Sequence, residues 1–311
     1  MTVSSDSVPL RHCLSFDVEE HFQVTAFESP TRRKHWNSFE SRVERNTAKL
    51  LDLLAGRNIH ATFFVLGWVG ERYPQLVKQI ALAGHEVASH GYGHELITAQ
   101  TPLNFRQDIR KAKAILEDLL SQNVWGYRAP SFSITSETMW AMEILVEEGY
   151  IYDSSIFPTI HDRYGIPTAS PYVHQIKNQA GSIWEIPPSV AKIFGVPVPC
   201  AGGGYFRLYP YFLSRRLLRR IERKGIPLVM YLHPWEFDPD QPRMDGPVIS
   251  RARHYLNLDK TEERLLNLLN DFKFGPICES ILPVSLACHE YLTHQDSGIH
   301  CLASKQAANL D

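Results

Sequence analysis

The chain has 311 residues, 44% of them hydrophobic and 21% charged, close to an average globular composition. That excludes a disordered, collagen-like or disulfide-scaffold chain and leaves enough apolar material for a sizeable core. Thirty-two Lys and Arg against 34 Asp and Glu give a net charge of −2, so no basic field points to nucleic acid.

In chain order, the first ten residues lack the basic and apolar regions of a signal peptide, and a flexible start over 1–11 is expected. Cys13 to Val18 reads as a first strand. Val43, Thr47, Leu50, Leu51 and Leu54 recur at helical spacing, with Gly56 as the stop. Ile59 to Leu66 is the next strand, followed by a helix opening at Pro74 and closing at Gly84. Glu86 to His90 reads as a third strand. Thr101-Pro102 then opens a long helix with Ile109, Ala112, Leu116, Leu119 and Leu120 on one face. Val124 to Arg128 is a fourth strand, and Ser136 is the expected cap of a helix ending at Gly149.

Tyr150 to Asp153 and Ile183 to Ile186 are further strand candidates. Pro and Gly interrupt the segment from Tyr164 to Gly204, which reads as long loops of the same domain. A helix from about Tyr211 stops at Gly225, Pro227 to His233 is an apolar strand, and Thr261 to Phe272 is the last convincing helix. Beyond about Pro283 the chain turns polar and aperiodic, so a tail over 283–311 is expected. No apolar run of about eighteen residues suggests a membrane span. The five cysteines are scattered, with no Cys-x-x-Cys pair, which suits a reducing compartment; a cytoplasmic protein is expected. Alternating strands and helices predict an α/β fold with parallel strands, as a barrel or an open doubly wound sheet.

Asp17, His90, Arg128 and His233 each fall at the C-terminal end of a predicted strand, on four different strands. In parallel α/β folds the βα loops converge at that end, and function sits there. Ser89-His90-Gly91-Tyr92-Gly93-His94 sets two imidazoles at i and i+4, within reach of one metal ion. Gly91 stands where a metalloprotease helix would carry its glutamate base, so the base must come from elsewhere. Phe16-Asp17-Val18-Glu19-Glu20-His21 supplies carboxylates, and strand alternation sends Asp17 and Glu19 to one side. Two histidines and one carboxylate with open positions for water make a hydrolytic metal site. An acidic loop after a strand and a pair of polar loop histidines are the plainer readings. Asp17 nevertheless follows a strongly apolar run, where a carboxylate needs a partner.

Arg128, in Gly126-Tyr127-Arg128-Ala129-Pro130-Ser131-Phe132, can hold such a carboxylate ionised, although an arginine before a turn is commonly a surface residue. His233, in Tyr231-Leu232-His233-Pro234-Trp235, suits proton transfer near neutral pH, although a histidine ending a buried strand can be a core residue.

In that order the motifs Ser15–Glu19, Ser89–His94, Arg128–Phe132 and Leu232–Pro234 resemble those of the polysaccharide deacetylases with a NodB homology domain, carbohydrate esterase family 4. Ser41–Asn46, Trp184–Pro188, Gly202–Arg207 and His233–Pro242 are similar to a branch found with bacterial PEP-CTERM/exosortase exopolysaccharide loci. The resemblance covers about residues 12 to 276. It implies a single distorted (β/α) barrel of seven or eight parallel strands over 12–282. It also implies one divalent metal, usually zinc (Zn2+), and hydrolysis of N-acetyl groups from amino sugars of an oligo- or polysaccharide.

Carried over, His90, His94 and Glu19 would be metal ligands, with Glu20 as the fallback carboxylate. Asp17 would be the general base, Arg128 its orienting partner and His233 the general acid. A backbone N–H near Ala129 to Phe132 would hold the oxyanion. The departure is at Val18, where most of the family has a second aspartate that ligates. Tyr92, Pro130, Phe132, Tyr205 and Trp235 flank the motifs and are the expected sugar contacts. The basic helix Ser214–Lys224 has Leu217, Leu218 and Ile221 on an apolar face. Usually that is a core-packing helix; anionic lipid is the less common partner, which leaves peripheral membrane contact open. Two other functions fit the same residues: an amidase acting on a small linear or cyclic amide, and a non-catalytic carbohydrate-binding module.

Overall fold

The computed structural model describes residues 10–27, 29–161 and 164–280. Most of the expected flexible start and all of the expected tail, with Cys288 and Cys301, lie outside these. Arg11 is described and pairs with Glu279 at 2.7 Å.

The apolar runs form strands buried on both faces, as parallel sheets covered by helices require. β1 (His12–Val18) is buried at all seven positions, and β2 (Thr62–Val65) at all four. β3 (Glu86–Ser89), β4 (Gly126–Tyr127) and β5 (Tyr152–Asp153) follow, each after a helix. The helices Val43–Ala55, Pro74–Leu82, Pro102–Leu120 and Ala141–Glu147 precede β2, β3, β4 and β5 in turn. β6 (His174–Asn178) and β7 (Gly181–Glu185) form a hairpin, as do β8 (Val190–Ile193) and β9 (Val196–Pro199). β10 (Val229–Leu232) follows the helix Tyr211–Glu222, and β11 (Phe274–Gly275) follows the helix Thr261–Asp271.

The main sheet runs β10-β1-β2-β3-β4-β5-β7-β6, with β11 on β1, and every pairing except β6–β7 is parallel. This is the expected mostly parallel α/β fold, with the strand order of a distorted barrel. Its ladder does not close among the described residues. The connection between β7 and β8 meets β10 instead, where the Ser189 N–H donates to the Val229 carbonyl at 3.2 Å and the Val229 N–H donates to Ser189 Oγ at 2.9 Å.

Two expectations need correction. The segment 164–204 is not only loop, because it folds into the two hairpins. Pro197 and Pro199 do not prevent this, since β9 pairs on one side only and an edge strand tolerates missing N–H groups. Ser136 does not cap the following helix, which starts at Ala141. Thr138 occupies the turn instead, its hydroxyl accepting from the Thr135 N–H at 2.8 Å.

Candidate active site

Each chemistry-bearing residue leaves a strand at its C-terminal end. Asp17 is the penultimate residue of β1, and His90, Arg128 and His233 directly follow β3, β4 and β10. Parallel pairing in register aligns these ends. The Arg128 N–H donates to Ser89, and the His90 N–H donates to Val65.

Glu19, His90 and His94 bring one ligand atom each to within 4.8 Å of the others, all three buried. Glu19 Oε2 lies 2.5 Å from His94 Nε2 and 3.9 Å from His90 Nε2, with no well-aligned donor of its own. His90 Nδ1 sits 2.7 Å from the Arg128 carbonyl, which leaves Nε2 as its ligating atom. Burial pushes the His90 imidazole down to about 4, so it stays neutral, the form that binds metals. Burial alone would raise Glu19, but the imidazoles of His94, His233 and His90 outweigh it and hold the carboxyl far below its usual range. A buried anionic oxygen facing two imidazole nitrogens fits a divalent cation such as zinc. Glu20 points elsewhere. Its carboxylate accepts from the Ser41 hydroxyl and from the Arg42 N–H at 3.0 Å.

Asp17 stands beside this set. Its Oδ1 accepts from Arg128 at 2.7 Å, and its Oδ2 lies 3.8 Å from His233 Nε2. Arg128 is fully buried and also donates to Ser15 Oγ, the Ser154 carbonyl and Ser154 Oγ. His233 faces Asp17 with Nε2 while Nδ1 lies 2.7 Å from Glu236 Oε1. Glu236 in turn accepts from Arg207 Nε at 2.5 Å, and Arg207 donates on to the carbonyls of His254 and Leu256. Burial disfavours a charged His233. The Glu236 hydrogen bond and the carboxylates of Glu19, Glu236 and Asp17 overcome this and lift it to about 9, so it carries a proton at neutral pH. Glu236 and Arg207 were given no role by sequence. Glu236 sits three residues after His233 in a capping box, the signal that could have found it.

The expected sugar contacts divide. Phe132 and Pro130 are buried, and Phe132 packs on Phe157 and Tyr231 in the site wall. Trp235 is also buried. Its ring stacks on His233 and its Nε1 donates to Glu19 Oε1 at 3.0 Å, so it positions a candidate ligand rather than offering an open face. Tyr205 stays partly exposed. Tyr92 is not brought to the site, because its hydroxyl donates to Glu71 and the Lys111 ammonium covers its ring at 3.4 Å. Near the expected oxyanion donors, the Ala129 and Phe132 N–H groups are taken by Ser155 Oγ and the Ala129 carbonyl, which leaves that of Ser131. Among the described titratable groups of this site His233 is the most exposed, at 17% of its side chain.

The arrangement sets three residues that could hold a cation beside a carboxylate and an imidazolium, side chains that could together serve metal-assisted amide or ester hydrolysis. Residues 28–146 match the polysaccharide deacetylase family, and residues 154–282 match a domain of unknown function, DUF3473. Residues 28–146 are thus similar to polysaccharide deacetylases. Both matched stretches contribute strands to one sheet and side chains to one site.

Among similar proteins, a peptidoglycan-N-acetylglucosamine deacetylase of Bacillus cereus is 36% identical over 98 residues, covering 31% of this chain and 36% of that one. A peptidoglycan deacetylase of Helicobacter pylori is 33% identical over 108 residues, covering 35% and 36%. The chain therefore spans about a third of the length of these curated relatives. A solved structure assigned as a polysaccharide deacetylase from Mycobacterium smegmatis superposes with a TM-score of 0.59 at 18% identity, covering 98% of this chain and 97% of that one. An allantoinase structure superposes at 0.57 and 15%, covering 94% and 93%. Both share the fold.

Proposed function

We propose that this protein is a metal-dependent hydrolase that removes N-acetyl groups from amino sugars of a polysaccharide or its lipid-linked precursor. The observation that carries this reading is the convergence of Arg128-held Asp17 and Glu236-held His233 on the Glu19–His90–His94 set, with Asp17 and His233 3.8 Å apart. We take the cation to be zinc, held by Glu19 Oε2 and the two Nε2 atoms. When bound, it would act as a Lewis acid toward the acetamide carbonyl and make water acidic enough to deprotonate near neutral pH.

The rest falls to the chain. Asp17, held in place by Arg128, takes the proton of the attacking water. The Ser131 N–H is the proposed donor to negative charge developing on the carbonyl oxygen. His233, protonated through its contact with Glu236, delivers a proton from Nε2 to the departing sugar amine. Tyr205 and the Phe132 wall are the proposed sugar contacts. The stretches Ser41–Asn46, Trp184–Pro188 and His233–Pro242 support placing the protein in the branch linked to PEP-CTERM/exosortase exopolysaccharide loci. The unbridged Cys13 and Cys200 support a cytoplasmic setting, and among the described residues no helix is long and apolar enough to cross a membrane.

The test is metal analysis of the purified protein, followed by acetate release from N-acetylated oligosaccharides. Stoichiometric metal and acetate are expected. Metal without acetate from any sugar would overturn the deacetylase reading and favour an amidase acting on a small amide.

A further inference from the structure

The β8–β9 hairpin ends in a turn made only of apolar residues and glycine, Ile193-Phe194-Gly195-Val196. Phe194 is fully exposed and Val196 is more than half exposed. Phe194 also has a φ of +49°, a conformation unfavourable for a bulky side chain. Leaving a large aromatic at such a position does nothing for folding. A large apolar tip held in solvent marks an interaction surface.

Beside the hairpin lies the helix Tyr211–Glu222. Its outward stripe runs from exposed Phe212 through Arg216 and Arg220 to Arg223 and Lys224 just past its end. Val190 and Lys192 of β8 share one depression with Arg220, Ile221 and Lys224, so the hairpin and the stripe form a continuous surface. The other basic side chains of this helix are spoken for. Arg215 pairs with Asp271 at 3.0 Å, and Arg219 pairs with Glu222 at 2.6 Å. Among the described residues Lys192, Arg216, Arg220, Arg223 and Lys224 have no acidic partner. A chain with a net charge of −2 therefore gathers five uncompensated cations on β8 and the helix beside it, on the element that carries the apolar tip and its neighbour.

We propose that this surface docks the protein on an anionic lipid bilayer, with Phe194 and its neighbours entering the acyl boundary and the arginine stripe lying on the headgroups. The combination decides the occupant. A soluble acidic polymer would use the cations but not a bare phenylalanine, whereas an interfacial anchor uses both. Val190, at the root of the hairpin, packs with Phe132 and Tyr231 in the wall of the candidate site. Docking would thus fix the site relative to the bilayer. The proposal stands apart from the reaction proposed above, because vesicle binding is read without turnover.

The test is co-sedimentation of the full chain with phosphatidylcholine–phosphatidylglycerol vesicles at physiological salt, with pure phosphatidylcholine vesicles as reference. Binding to the anionic vesicles should exceed binding to the neutral ones by about tenfold or more and fall with added salt. Phe194→Ser and, separately, the pair Arg216→Glu/Arg220→Glu should each lower it about tenfold while leaving the circular dichroism unchanged. Phe194→Trp should show a blue-shifted emission on anionic vesicles only. No sedimentation, equal sedimentation with neutral vesicles, or wild-type binding by Phe194→Ser would overturn the proposal. Equal capture by soluble alginate, insensitive to Phe194→Ser, would assign the surface to an acidic polymer instead. A vesicle-free dimer abolished by Phe194→Ser would assign it to a second copy.

Discussion

Glu19 and Glu20 are chain neighbours, yet their carboxylates face different donors: Glu19 two imidazoles and the Trp235 indole, Glu20 the Ser41 hydroxyl and the Arg42 N–H. Their glutamine variants should therefore fail differently. Glu19→Gln is expected to lose the metal, read by elemental analysis. Glu20→Gln should keep metal stoichiometry and lose about 1–3 kcal/mol of stability in thermal unfolding, since a buried charged acceptor is weakened. Asp17→Asn and His233→Ala should each lower acetate release by about 10² to 10⁴ with metal retained; wild-type turnover in Asp17→Asn would remove it as the base. Glu236→Gln should lower kcat with little change in KM or metal content, because it acts only through the charge and orientation of His233. These pairings were half legible in the sequence. The residue types and their strand ends could be read, but a contact between Arg207 and Glu236, 29 positions apart, could not.

At the scale of elements, the turn carrying His90 and His94 is held from outside. Asp108, on the helix Pro102–Leu120, accepts from the Tyr92 N–H at 2.8 Å and the Gly93 N–H at 3.2 Å, and Arg33 donates to the Gly93 carbonyl at 2.7 Å. Gly91 is required in the same turn, since its φ is +72° and a Cβ would fall 2.8 Å from Asp108. Asp108→Asn should weaken metal binding by about 10- to 100-fold, measured by chelator competition, because it loosens the ligands' frame without touching the ion. Helices with caps or strong periodicity were legible: Thr101 accepts from the Asn104 N–H as a cap should, and Val43–Ala55 buries Val43, Thr47, Leu50 and Leu54. β7 falls on the Ile183–Ile186 strand candidate, but its partner β6 and the β8–β9 hairpin were not legible. Their exposed and half-exposed faces, with Pro and Gly interspersed, give no apolar alternation to read.

Across the whole molecule, β5 and β7 pair in register so that Asp153 and Glu185 lie side by side, both buried. Burial, and then the neighbouring Asp153 charge, push the Glu185 carboxyl well above its ordinary range. A folded-state pKa above the unfolded value means that the folded protein holds the proton more tightly. The contribution of this group to stability is then greatest at low pH and falls as pH rises from about 4 toward the folded value. Relative to Glu185→Gln, the wild type should therefore lose stability as pH rises above the ordinary carboxylate range in urea unfolding; parallel curves would show the pair to be ionised throughout.

The sequence by itself determined that the chain is a mostly parallel α/β protein and that Asp17, His90, Arg128 and His233 sit at strand ends, because buried apolar runs and the turns that stop them are local properties. Only the tertiary structure decided that Glu19 and not Glu20 faces the imidazoles, that Tyr92 turns away to Lys111, that Trp235 is a buried support, and that an apolar hairpin stands beside a bare basic stripe. Those outcomes depend on which strands pair and which helix lies behind which loop, and long-range burial and charge compensation leave no local periodicity in the chain.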